Sequence, residues 1–326
     1  MTLEPQAPKA NRTRAVAGAL LGVTLSLCGL IYVFSGVDLD TLAASTGRIL
    51  AVPLLGAVTL YWIGVVGLRA LLVRHLLAAA GEIKTLRAYR CIAIGFLANS
   101  VLPFRAGDLV RSAALSRGAN ISFASVIGSL AIERILDMLM VAILALAAIR
   151  FAPLPHVIQS IAFVSIAVFG IMFIILATLA VRSTKSTKRR PMAWAKKLRT
   201  NLISGIGTFK SVRGIFIAII LMMGLWGTAI VSIMLRLESF ELPGTVPFAV
   251  VLLFSIGVGV SLPSAPAYVG VYHAAAVFAL ELLGVEHSTA AAFGLFSWII
   301  DVSLSCALGG ISLIVEGFKL GDLKKL

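Results

Sequence analysis

Leu102-Pro-Phe-Arg-Ala-Gly107 returns later in the chain, much altered, as Leu262-Pro-Ser-Ala-Pro-Ala-Tyr-Val-Gly270. Each stretch interrupts a hydrophobic run too short to cross a bilayer, since a spanning helix needs about 20 apolar residues. Each is followed by a short segment ending at a second glycine (Gly118; Gly284) and then by a long apolar helix. That helix carries an alanine six residues on (Ala124; Ala290) and an acid deeper in (Asp137; Asp301). Paired Pro/Gly-interrupted segments in corresponding halves point to the binding site of a transporter. The reading is an inverted repeat, with halves near 49–149 and 214–316.

Composition agrees. The 326 residues are 60% hydrophobic and only 13% charged, with a mean hydropathy of +1.03. These values belong to integral membrane proteins. The net charge of +14 does not point to nucleic acid, because no nucleic-acid-binding motif accompanies it. Cys28, Cys91 and Cys306 lie far apart in apolar runs and read as small hydrophobic side chains. Neither a nucleotide-binding loop nor a metalloprotease or nucleophile-elbow motif occurs, so no cofactor and no metal is expected and the chain does not read as an enzyme.

Full spans are predicted near 15–36, 49–72, 122–149, 157–181, 214–236 and 288–316. Segments 90–104 and 248–283 are left over. Lys/Arg asymmetry orients the chain, because basic loops stay cytoplasmic. Twenty-four basic residues fall on one side, ten of them in the 182–213 loop, against Arg48, Arg150 and Arg236 on the other. This holds only if 90–118 dips in from the cytoplasm and 248–284 from outside. The expected architecture is therefore all-α and polytopic, with six spans plus two oppositely oriented re-entrant helical hairpins. A single membrane domain would cover 15–317, between cytoplasmic tails 1–14 and 318–326. Backbone broken at membrane depth must be buried or face water, so the hairpins should meet around a cavity.

Charges inside the apolar segments nominate the site. Glu133, Arg134 and Asp137 share one helix; Glu133 and Asp137 are i,i+4, and Arg134 and Asp137 can pair at i,i+3. A charge at the bilayer centre costs at least about 2.5 kcal/mol, so the cluster either pins helices together or lines a substrate route. Asp301 is the equivalent acid, with Trp298 where Arg134 stands and Ser297 where Glu133 stands. Lacking an intrahelical partner, Asp301 is a candidate proton carrier. In Asn99-Ser-Val-Leu-Pro-Phe-Arg-Ala-Gly-Asp-Leu-Val-Arg111, Pro103 ends one arm and Gly107 allows a close turn. Arg105, Asp108 and Arg111 then recur at threes, leaving guanidinium donors for a phosphate, or else forming an interfacial rim. Across the repeat, Pro263, Pro266 and Gly270 form the matching elbow. The helix N-terminus there offers N–H groups to an anion, and His273 reads either as a headgroup contact or as a satisfied interior histidine.

These residues resemble the lysylphosphatidylglycerol synthase transmembrane region, a flippase-like membrane domain. The likeness rests on the 99–111 stretch, on Glu133-Arg-Ile-Leu-Asp137 and on Leu-Pro-x-x-Pro-x-x-x-Gly at 262–270, and it covers nearly the whole chain. It implies movement of polar lipids across a bacterial inner membrane, with Arg105, Asp108, Arg111, Glu133, Arg134 and Asp137 as the functional set. Two departures stand out. No aminoacyl-transferring domain accompanies the membrane region, so synthase activity is not expected. The family's Pro-Gly-Gly-x-Gly-x-x-Glu elbow is here Pro266-Ala-Tyr-Val-Gly-Val-Tyr-His273. The expected partners are membrane phospholipids or other polar lipids. The alternative is a non-catalytic membrane subunit serving a separate lipid-modifying or glycosyl-transferring enzyme.

Overall fold

The two proline elbows end their helices as backbone sterics require. A residue before proline is pushed out of the helical region. Leu102 (ψ 141°) therefore closes α5 (Thr85–Val101), and Leu262 (ψ 150°) closes α9 (Val246–Ser261). The computed structural model describes residues 12–102, 106–117, 121–151, 211–262 and 264–318, with scattered positions between 156 and 171. Pro103, Arg105, Pro263, Gly118, most of the 157–181 span, the basic loop as far as 210, and residues 1–11 and 319–326 lie outside the described residues.

All regular elements among the described residues are helical. α1 (Arg12–Phe34) bends by 88° into α2 (Leu39–Gly47). One element order then occurs twice. A long helix comes first: α3 (Ala51–Thr59), a π turn (Leu60–Val65) and α4 (Val66–Leu77) run on as one rod of 27 residues. The short pair α5 and α6 (Gly107–Arg117) follows, then long α7 (Phe123–Phe151). The second set is long α8 (Val212–Ser239), the short pair α9 and α10 (Val271–Leu282), and long α11 (His287–Val315). A helix thus stands at five of the six expected spans. Among the described residues, three rods, 51–77, 212–239 and 287–315, are long and apolar enough to cross a membrane, and the bent α1–α2 pair makes a fourth if counted as one span.

Small residues let these helices touch. Helix association in lipid is driven by close packing and hydrogen bonds rather than by hydrophobic transfer. α5 packs on α6 within the first pair, and α11 lies along α5. At Gly107 a Cβ would stand 2.0 Å from the Gly95 carbonyl oxygen, so only glycine fits. α1 stands outside the repeat and packs on α10, where Gly29 meets the backbone of Gly270.

The far end of α1 is tied to the α10–α11 corner. Tyr32 donates to Glu281, and His287 places Nδ1 2.8 Å from Glu281 Oε1 and Nε2 2.9 Å from the Val33 carbonyl. Both ring nitrogens face acceptors, so the doubly protonated imidazolium satisfies every group.

Candidate functional site

The acids of α7 are held from two directions. Arg69 on α4 donates to Glu133 (2.6 Å) and forks onto Asp137 (2.9 and 3.1 Å). Arg111 on α6 forks onto the two oxygens of Glu133 at 3.1 and 3.0 Å. Arg134 gives one nitrogen to both oxygens of Asp108 at 2.6 Å and lies 3.5 Å from Asp137. Three guanidiniums thus meet three carboxylates. Glu133 is 1% exposed, whereas the Arg134 and Asp108 side chains keep 31% and 22%. The network therefore has a sealed floor and an open face.

The second half repeats the arrangement with less. Arg236 on α8 forks onto Asp301 of α11, both distances 2.8 Å. In each half, then, an arginine of the first long helix grips the acid of the second. The Arg236 side chain is 3% exposed and that of Asp301 is 31%. Asp301 is consequently no lone carboxylate, and the expectation of an unpartnered proton carrier gives way. Arg236, counted on an outer loop, is a buried residue of the site. Arg111 likewise has no free fork for a phosphate, because Glu133 occupies it.

Between the halves lies a chamber of about 320 Å³. Its wall includes Asn99 and Ser100 of α5, Asp108 and Arg111 of α6, Arg69, Arg134 and Asp137 from the first half. Gly257 and Ser261 of α9, Tyr272 of α10, and Trp298 and Asp301 of α11 come from the second. The elbow turn Pro266–Tyr268 packs directly on α5, so the two short pairs meet. Neither Glu133 nor Arg236 reaches the chamber surface.

The elbows are fixed by neutral hydrogen bonds. Asn99 Oδ1 accepts the Gly107 N–H at 2.8 Å across the first. In the second, Ser26 Oγ accepts from the Ala265 N–H (2.9 Å) and Trp298 Nε1 donates to the Ala267 carbonyl (2.7 Å). Gly270 (φ +82°) caps α10, and its N–H donates to His273 Nδ1 at 3.2 Å. A Cβ on Gly270 would stand 2.0 Å from the Ser26 carbonyl oxygen, so this helix N-terminus faces α1. Gly270, His273 and Pro266 therefore do not line the chamber, contrary to the expected anion contact, and the 2%-exposed His273 is an interior capping residue. Ala267 and Tyr268 are both left-handed (φ 57° and 60°) although neither is glycine. Such a residue costs about 1–2 kcal/mol.

A family model described as the lysylphosphatidylglycerol synthase TM region matches residues 19–309. The chain belongs to that family. No curated protein and no solved structure matches it. In this member of the lysylphosphatidylglycerol synthase TM-region family, sequence reasoning missed Arg69 and Arg236. The count of basic residues places Arg69 on the cytoplasmic side and Arg236 on the outer side. The signal was available: Arg69 is followed by the apolar run Ala70–Val73, and Arg236 by Leu237. The chamber-lining aromatics Tyr61, Tyr268 and Tyr272 carried no distinguishing sequence pattern.

Proposed function

We propose that this protein is a lipid translocase of a bacterial inner membrane. A polar or anionic lipid headgroup passes through the chamber while the acyl chains stay in the bilayer. In this reading the two short helix pairs are re-entrant hairpins entering from opposite faces, and both termini are cytoplasmic. The protein moves lipid and performs no covalent chemistry.

The observation that carries the proposal is the chamber itself. It is walled by both proline-broken pairs and by six ionised groups, with buried Glu133 and Arg236 behind them completing a set paired four against four. Broken backbone and charge at membrane depth are tolerated only around protein or water. A volume of about 320 Å³ is at the small end of ligand sites and suits a headgroup rather than a whole lipid. The positive-inside count supports the orientation.

Reconstitution tests the function. Vesicles carrying fluorescent-headgroup lipids should lose their label asymmetry with the wild-type protein, and at least tenfold more slowly with Asp137→Ala or Arg134→Ala. Wild-type rates in both folded variants would refute the proposal. Topology has its own test, by thiol labelling of single introduced cysteines. Lys84→Cys and Arg117→Cys should react from one face, Thr245→Cys and Gly284→Cys from the other. Labelling of the two ends of either pair from opposite faces would remove the hairpins.

A further inference from the structure

The chamber wall is electrically lopsided. On its surface the first half shows Arg69, Arg111 and Arg134 against Asp108 and Asp137, an excess of one positive charge. The second half shows Asp301 alone, because its partner Arg236 is buried behind it. Asp301 shares its chamber with four aromatic residues, Tyr61, Tyr268, Tyr272 and Trp298, the last of them one turn away on the same helix. Trp298 and Tyr272 flank the His273 ring, Trp298 with its centroid 5.1 Å away and Tyr272 edge-on.

One of these rings is held at a cost. Ala267 and Tyr268 are consecutive left-handed residues, kept there by the Trp298 Nε1–H on the Ala267 carbonyl and by the seating of Ala265 on Ser26. Glycine at either position would make the same turn without strain. Strain that persists where a neutral alternative exists marks a functional constraint. What the strained turn delivers is a tyrosine ring on the chamber wall. Tyr61 is placed by another uncommon backbone feature, the π turn in the first rod, and such turns gather at functional sites.

We infer that the second half of the chamber is an ammonium subsite. Asp301, with the chamber-lining rings Tyr61, Tyr268, Tyr272 and Trp298, takes the cationic end of a zwitterionic phospholipid headgroup whose phosphate lies toward Arg134. The inference rests on the reading that headgroups enter this chamber. Aromatic faces attract ammonium groups, and a carboxylate in the same chamber reinforces the attraction. The Arg236 fork holds Asp301 in place while its open side accepts the ligand. A purely anionic headgroup could use the Arg134 side but would set a negative charge toward Asp301.

The test separates binding from movement. Protein purified in detergent is offered equimolar phosphatidylethanolamine, phosphatidylcholine and phosphatidylglycerol with identical acyl chains, and retained lipid is read by native mass spectrometry. The wild type should retain an ammonium lipid over phosphatidylglycerol, the first two arms separating a primary from a quaternary ammonium. Tyr268→Gly removes the ring and relieves the strain. It should cut that preference about tenfold while the melting temperature holds or rises. Tyr268→Leu keeps the strained backbone, loses the ring and should lose the preference equally. Equal or stronger retention of phosphatidylglycerol by the wild type would overturn the subsite. So would a Tyr268→Gly protein that melts earlier with its preference intact. Lipid movement is scored separately in vesicles. Preference without movement would sink the translocase reading and leave the subsite, and movement without preference would do the reverse.

Discussion

Separating Arg236 from Asp301 should be costly from one side and cheap from the other. Removing Asp301 (Asp301→Leu) strands a guanidinium that is 3% exposed and whose Nε already lacks a hydrogen-bond partner. An uncompensated buried charge of this kind costs about 3–5 kcal/mol. Removing Arg236 (Arg236→Met) leaves a carboxylate 31% exposed to the chamber, where it can be hydrated or take a proton, so the loss should be about 1–2 kcal/mol. The double variant removes both charges and fills the space with apolar atoms. Replacing a whole buried pair is often neutral, so it should recover to within about 1 kcal/mol of the wild type. The assay is equilibrium unfolding in mixed micelles, titrated with denaturing detergent and followed by tryptophan fluorescence. Trp226 and Trp298 both line the chamber and report on it. Arg236→Met costing as much as Asp301→Leu would refute the exposure argument. Additivity of the two single variants in the double would refute the pairing itself.

In the first network, Glu133→Gln should cost about 3–5 kcal/mol, because Glu133 receives three N–H bonds from Arg69 and Arg111 at 1% exposure. Asp108→Asn, on the open face, should cost under half as much in the same assay. Gly29→Val should detach α1 from the second elbow, since even a Cβ at Gly29 would lie 2.6 Å from the Gly270 carbonyl oxygen. Amide exchange across 264–270 should then quicken at least tenfold. The tie at His287 is complete only while the ring carries both protons. Raising the pH from about 6 to about 8 removes the donor facing either Glu281 or Val33, so amide exchange around 33–38 should rise across that window. His287→Asn should abolish the pH dependence, and an unchanged profile in that variant would count against the imidazolium.

What the sequence disclosed was what its backbone chemistry forces. Leu-Pro at 102 and 262 had to end a helix, and α5 and α9 stop there. The i,i+4 spacing of Glu133 and Asp137 had to put both acids on one face, and Arg69 bridges them. The errors came from questions that local chemistry cannot answer. Whether an arginine near a helix end snorkels to water or turns inward depends on its neighbours in space. Arg69 and Arg236 turned inward because an acid from a helix more than sixty residues away lay opposite. The N-terminus of α10 looked like an anion site because its elbow is symmetric with the first. It is closed instead by α1, a helix outside the repeat. Symmetry in the chain located the two elbows but could not report what an extra element covers.

That extra element also makes the halves mechanically unequal. The first short pair is bound by charge, through Arg111 to Glu133 and Arg134 to Asp108. Hydrogen bonds to ionised groups contribute about 1.5–3 kcal/mol each, neutral ones about 0.5–1.5. The second elbow is held by neutral hydrogen bonds from Ser26, Trp298 and His273, and it carries the two strained residues. Meanwhile Arg69–Asp137 and Arg236–Asp301 tie the first long helix to the second in both halves. With the long helices tied and the first pair ionically fixed, the segment around 264–270 is the part of the chamber wall that yields at least cost. Selectivity and give are thereby placed on the same few residues. A substitution that relieves the strain of this elbow and removes its ring, such as Tyr268→Gly, should therefore alter which lipid is held before it alters whether the protein folds.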